Sequence, residues 1–198
     1  MTSSRNLLIV PLVALALIVG CDSMPWNKDK KDNSTKKMAN EGEKVAVAEI
    51  APAQAASTQP SWGKPAGAIT FTQMGDKVHV TGEITGLAPG KHGIHIHEKG
   101  NLAAPDLMST GGHYNPDKHP HGGPTTSAVH AGDLGNLEAD TSGKATIDLT
   151  VDDVTVGGDK NDVVGKAVII HAKEDDFKSQ PAGNAGARIA GGVITMKK

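Results

Sequence analysis

Aromatic side chains are scarce in this chain of 198 residues: Phe, Trp and Tyr together make up 3%. Both tryptophans, Trp26 and Trp62, precede the stretch that reads as folded. Its core must therefore be built largely from Val, Ile, Leu and Ala. A single cysteine, Cys21, excludes an intramolecular disulfide. The formal net charge of −2 gives no general bias toward nucleic acid, and no such partner is expected. Neither a helical apolar stripe nor an internal repeat is visible. The one marked apolar run, Leu7 to Val19, is short for a transmembrane helix.

That run follows Arg5 and ends in Ile18-Val19-Gly20-Cys21. A basic start and a short apolar stretch make an export signal. The ending resembles the lipobox of bacterial lipoproteins, in which the cysteine is lipidated and becomes the first mature residue. Residues 1–20 are therefore read as a signal peptide. Residues 21–65 are read as a lipidated Cys21 followed by a disordered tether, because Asp22 to Lys44 is rich in Lys, Asp, Asn and Ser and the remainder turns to Ala, Gln and Pro. A transient helix is the only order expected there, over Val45 to Ala56. As a loose coil, ~40 residues would span roughly 35 Å. The anchored protein would sit on a membrane of the bacterial cell envelope, periplasmic or on the outer surface, given a second acyl chain for stable attachment.

Strand signals begin near Ala66. Ile69 and Phe71 alternate with threonines, and Val78, Val80 and Ile84 alternate with polar residues after Gly75-Asp76. Further alternation runs over Ile147 to Val151, Val163 to His171 and Ile189 to Met196. Short alternating strands between turn signals argue an all-β antiparallel sandwich or barrel over residues 66–198. The segment from Glu98 to about Asp133 breaks this pattern and is rich in Gly, Pro, His and Asp. Structureless loops of that length are usually functional.

The chemistry gathers around Gly90-Lys91-His92-Gly93-Ile94-His95-Ile96-His97. On a strand, Ile94 and Ile96 point one way, and His95 and His97 the other. Two imidazoles on one rigid strand make half of a metal site. His113, His121, His130, Asp133 and His171 supply further ligand types downstream. Imidazole suits copper and zinc, and three His with one carboxylate suit tetrahedral zinc. Six His and one Asp are too many for one ordinary site and suit two. His92 shares the parity of the isoleucines and should point inward as a structural residue. His79 reads as a solvated strand residue, and His119 as a bystander of the zinc ligands.

The motifs HGIHIHEKG, GGHYNP, HGGP, HAGDLGN, IIHAKEDD and GNAGARIAGGVI, in that order, resemble those of the copper–zinc superoxide dismutases. The resemblance implies a Greek-key β-sandwich of about eight antiparallel strands with two long functional loops. It implies copper on His95, His97, His113 and His171, and zinc on His113, His121, His130 and Asp133, with His113 bridging the two. Asp175 would link ligands of both metals, and Arg188 would attract and orient superoxide as substrate. The reaction would be dismutation to dioxygen and hydrogen peroxide, an antioxidant activity. A homodimer is compatible with this reading. A metal-buffering or copper-delivery lipoprotein is the rival reading: an anion-guiding arginine argues against the first, and the absence of thiols in the mature domain against the second. Two departures stand out. The cysteines that usually tie the metal loop to the barrel would fall near Leu102 and at Gly191. The segment from Asp175 to Gly183 is shorter than in the animal enzymes.

Overall fold

The computed structural model describes residues 43–198 except positions 60 and 62. Its strands are Val45–Pro52 (β1), Gly63–Met74 (β2), Lys77–Leu87 (β3), Gly90–His97 (β4), Asp133–Ala139 (β5), Ala145–Val151 (β6), Ala167–His171 (β7) and Arg188–Met196 (β8). They form one eight-stranded sheet in the order β5-β4-β7-β8-β1-β2-β3-β6, with every pairing antiparallel. Consecutive β3 and β4 are not hydrogen-bonded neighbours, and neither are β6 and β7. Such crossing connections are the Greek-key device that curls a sheet toward a barrel. The expected all-β architecture is the one observed, a nearly closed barrel.

The barrel is filled by aliphatic side chains and one aromatic ring, Phe71, all alternating with outward-facing polar residues. On β3, Val78, Val80 and Ile84 point in. On β4 both faces are covered, because Ile94 and Ile96 enter the core while His95 and His97 are buried beneath the long loop. A half-exposed strand would have left the imidazoles wet. Here the loop makes them a dry site.

Residues 45–58 correct the tether reading. Val45–Pro52 is a strand hydrogen-bonded on both sides, to β2 and to β8. Ala46, Ala48 and Ile50 are buried in strict alternation. A 3-10 turn follows at Ala55–Thr58. The folded unit thus includes β1 from Val45 and does not start near Ala66. Small alanines disguised the pattern: they favour helix in isolation, yet Ala46 and Ala48 are fully buried where β1 lies between two strands over the core. The segment read as a signal peptide, Cys21 and residues 22–42 lie outside the described residues.

The loop between β4 and β5 is stitched to the barrel by main-chain bonds. Tyr114 N–H donates to the Ile96 carbonyl at 2.8 Å, Ile96 N–H to Gly132 at 2.8 Å, and Gly132 N–H to Tyr114 at 2.9 Å. These bonds draw His113 alongside His97, with which it forms an isolated bridge.

Candidate metal centre

Two groups of ligand types converge at one end of β4. His95, His97, His113 and His171 form one, and His113, His121, His130 and Asp133 form the other. Within each group, one donor atom per residue lies within 4.8 Å of all the others. His113 belongs to both. All seven residues are buried.

Local structure explains how they meet. His95 and His97 project from the same face of β4. His171 ends the neighbouring strand β7, whose register places His97 opposite Ala167 and Ile94 opposite Ile170. A register irregularity after Ile170 brings His171 opposite Arg188, the first residue of β8. Asp133 opens β5 and pairs in register with His95 across an irregularity at Gly93. Only His113, His121 and His130 come from the loop.

Hydrogen bonds settle which nitrogen of each ring is free. His95 Nε2 donates to Asp175 Oδ2 at 2.7 Å, which leaves Nδ1 unpartnered. His97 Nδ1 donates to the Gly111 carbonyl at 2.9 Å, leaving Nε2. His171 Nδ1 donates to the Gly186 carbonyl at 3.1 Å, again leaving Nε2. A ring that donates from one nitrogen presents a lone pair at the other. His113 turns Nδ1 toward Asp133, 2.8 Å away, and leaves Nε2 free on the opposite side. One ring thus addresses both groups. Unpaired buried nitrogens are costly, and several converging lone pairs fit a soft or borderline cation.

The second group converges on Asp133. His121 Nδ1 lies 2.9 Å from Oδ2 without hydrogen-bond alignment, and His130 Nδ1 lies 3.2 Å from Oδ1. His113 Nδ1 and His130 Nδ1 are 3.4 Å apart. Three imidazoles around one carboxylate is the donor set of tetrahedral zinc.

Asp175 spans the two groups. It accepts from His95 on one oxygen, and from His121 Nε2 at 2.9 Å on the other. Asn136 holds it through two main-chain bonds, accepting from Asp175 N–H at 2.8 Å and donating to the Asp175 carbonyl at 2.9 Å. Gly183 makes room: a Cβ there would collide with Asp175 Oδ1 and come within 2.6 Å of His121 Nε2.

The electrostatics differ between the halves. Burial, with neighbouring His113 and Arg188, pushes His97 down to about 2. Burial and His95 bring His171 to about 3. His113 falls to about 4, because burial outweighs its bond to Asp133. These rings are neutral and ready to coordinate. Burial would lower His121 too, but the carboxylates of Asp133 and Asp175 on either side of it prevail and raise it to about 9. Burial alone would raise Asp133, yet the imidazoles of His113, His121 and His130 around it hold its carboxyl far below the usual range.

Arg188 borders a cavity of about 470 Å³ together with His97, His113, His171, Pro181 and Ala182. Its Nη1 donates to the Leu107 carbonyl at 2.9 Å and to Thr110 Oγ1 at 2.8 Å. A fixed cation therefore faces the space in front of the first group.

A family model described as copper/zinc superoxide dismutase (SODC) matches residues 65–194. The chain belongs to the copper–zinc superoxide dismutase family. It is 46% identical over 156 residues to the extracellular superoxide dismutase [Cu-Zn] of Drosophila melanogaster, covering 75% of this chain and 82% of the relative. The corresponding enzyme of Caenorhabditis elegans is 43% identical over 134 residues, 65% of this chain and 60% of the relative. The crystal structure of the clock protein EA4 superposes with a TM-score of 0.67 at 40% identity, over 78% of this chain and 96% of that one. The Drosophila melanogaster and Caenorhabditis elegans relatives are animal extracellular enzymes rather than bacterial lipoproteins. The dismutase activity and its two metals, copper and zinc, are those of the family, and the two donor groups suit them.

Of the secondary histidines, His92 lies inside as expected, its ring nitrogens each 2.8 Å from the carbonyls of His171 and Ala88. His119 stands outside both groups, its Nδ1 3.2 Å from the Val129 carbonyl. His79 pairs with Asp148 on the surface. Leu107, not Leu102, lies over Gly191. The carbonyls of Gly111 and Gly186 escaped sequence reading because a main-chain acceptor carries no residue-type signal, and the side chains of Asn136 and Thr110 because their partners are distant in sequence.

Proposed function

We propose that copper is held by His95 Nδ1 and by Nε2 of His97, His113 and His171, and zinc by His113, His121 and His130 through Nδ1 and by Asp133. The four unpartnered, buried imidazole nitrogens on the copper side carry this assignment. Dismutation converts two superoxide ions and two protons to dioxygen and hydrogen peroxide. When bound, copper supplies the one-electron couple, and zinc has no redox change of its own. Arg188 draws the anion into the cavity and orients it, against the negative charge of the chain as a whole. Leu107 and Thr110 hold its guanidinium in place. His113 presents Nε2 to the same cavity, a ring nitrogen that could hold a proton beside the substrate. Asp175 fixes the tautomers of His95 and His121 together, so each metal's ligand depends on the other's.

The chain is exported, a reading supported by the signal-like N-terminus and by the extracellular naming of its relatives. It is retained on a membrane by lipid on Cys21, a reading that rests on the lipobox alone.

Elemental analysis of reconstituted protein, with superoxide turnover measured on the same sample, tests the assignment. One copper and one zinc per chain with turnover are expected. An intact fold that takes up no copper would refute it.

A further inference from the structure

We propose that Gln180 is a positioning residue that ties the wall of the copper-side cavity to His121, an inference resting on the metal assignment above. Its carboxamide meets the main chain of His121 from both sides. His121 N–H donates to Gln180 Oε1 at 2.8 Å, and Gln180 Nε2 donates to the His121 carbonyl at 2.9 Å. One hydrogen bond would leave the peptide free to pivot. Two opposed bonds fix its position and its direction together.

The contact joins residues far apart in sequence and belongs to a larger clasp. Asp175 takes the side chain of the same His121. The ring of Phe177 lies against Gly123, its Cγ 3.2 Å from where a Cβ would stand. Side chain, main chain and the residues just beyond His121 are all held by residues 175–180. With no disulfide available, this short segment is what couples the metal loop to the β7–β8 connection.

The chain then runs directly into the cavity. Pro181 and Ala182 line it beside His97, His113, His171 and Arg188. Proline fixes its own φ, so a displacement at Gln180 passes to the wall instead of being absorbed. The zinc ligand His121 and the surface met by the incoming anion are thus two ends of one rigid path. Occupancy of the zinc site sets the shape of the anion's binding space through Gln180.

Azide serves as the anion probe, its binding to the full-length copper- and zinc-loaded protein followed by cupric charge-transfer absorbance. Gln180→Ala is expected to keep both metals, to bind azide about fivefold more weakly, and to release zinc to a chelator ~10–100-fold faster. Copper release should stay within about twofold of the parent, since Gln180 hydrogen-bonds to no proposed copper ligand. Removing zinc should weaken azide binding in the parent and add little in the variant, the signature of coupled sites. Gln180→Glu keeps the acceptor for His121 N–H and loses the donor. It should fall between, and it carries the same test if the alanine variant does not fold. Azide affinity equal to the parent's in a metal-loaded variant overturns the coupling, as does a fully additive response to zinc removal. A parent that binds no copper would instead overturn the metal assignment.

Discussion

Leu107 lies against Gly191, with its Cδ1 3.3 Å from the position a Cβ on that glycine would occupy. The family's disulfide is expected to anchor the metal loop to the last strand, and Gly191 is one of its expected positions. Here an apolar contact makes the connection. The loop is further held by Ala55 N–H donating to the Pro105 carbonyl at 2.9 Å, from the turn after β1. In the chain-entropy model a bridge over ~85 residues contributes about 4–5 kcal/mol. Packing, main-chain bonds and metal must supply that stabilisation. Thermal unfolding of the loaded protein should be the same with and without a thiol reductant. Removing zinc should lower the midpoint sharply and increase amide exchange between Glu98 and Asp133. Equal protection in both forms would show that packing alone orders the loop.

Arg188→Glu should slow turnover ~10-fold or more at low ionic strength, because charge steering works over that range. The gap between variant and parent should narrow with salt, as screening weakens the parent's advantage. Copper content should hold, because Arg188 bonds to Leu107 and Thr110 and to no proposed ligand. A variant as fast as the parent in dilute buffer would remove Arg188 from the mechanism.

Asp175→Asn preserves shape and removes the charge that His95 and His121 share. A carboxamide can accept from one ring only, so the other loses its fixed tautomer. Zinc affinity should drop ~10–100-fold, read by competition with a chromogenic chelator. An unchanged affinity would mean that the ligand geometry is set by the loop main chain alone.

The metal-stripped protein should be most stable near pH 6.5. His97, His171 and His113 have folded values of about 2, 3 and 4 against an ordinary 6.5. Below 6.5 the unfolded chain takes up protons that these buried rings refuse, so their contribution is present above 6.5 and lost as pH falls. The depressed Asp133 and Asp175 add a loss below the ordinary carboxylate value of 3.8. His121 acts oppositely: raised to about 9, it stabilises below 6.5 and loses that contribution as pH rises through 9. Urea midpoints at pH 5, 6.5 and 9 should therefore peak in the middle, with the steeper fall on the acid side. A midpoint independent of pH would contradict this assignment of charge.

Cys21→Ser should free the protein from membranes while leaving the activity of the folded unit unchanged. Fractionation of cells expressing parent and variant reads this directly. Variant that still pellets with membranes would favour an uncleaved hydrophobic anchor.

The histidine pattern on β4 was legible because a strand's period of two is written directly in residue types, Ile94 and Ile96 against His95 and His97. β1 was not, because Ala46 and Ala48 carry too little hydrophobicity to mark a face. Their burial comes from the strands on either side. The contact between Leu107 and Gly191 was not legible either, since loop registration depends on main-chain bonds such as Lys99 N–H to the Thr110 carbonyl.

Sequence by itself determined the class of the fold, and it named the seven candidate ligand residues and the chemistry they suit, because each of these depends on residue type and order. Tertiary structure decided which nitrogen of each ring is free and that His113 faces both groups. It also decided that Arg188 is held by Leu107 and Thr110, and that Gln180 grips His121. Those facts depend on where main-chain carbonyls and a distant carboxylate come to rest, and no local pattern encodes a contact between residues brought together only when the barrel closes.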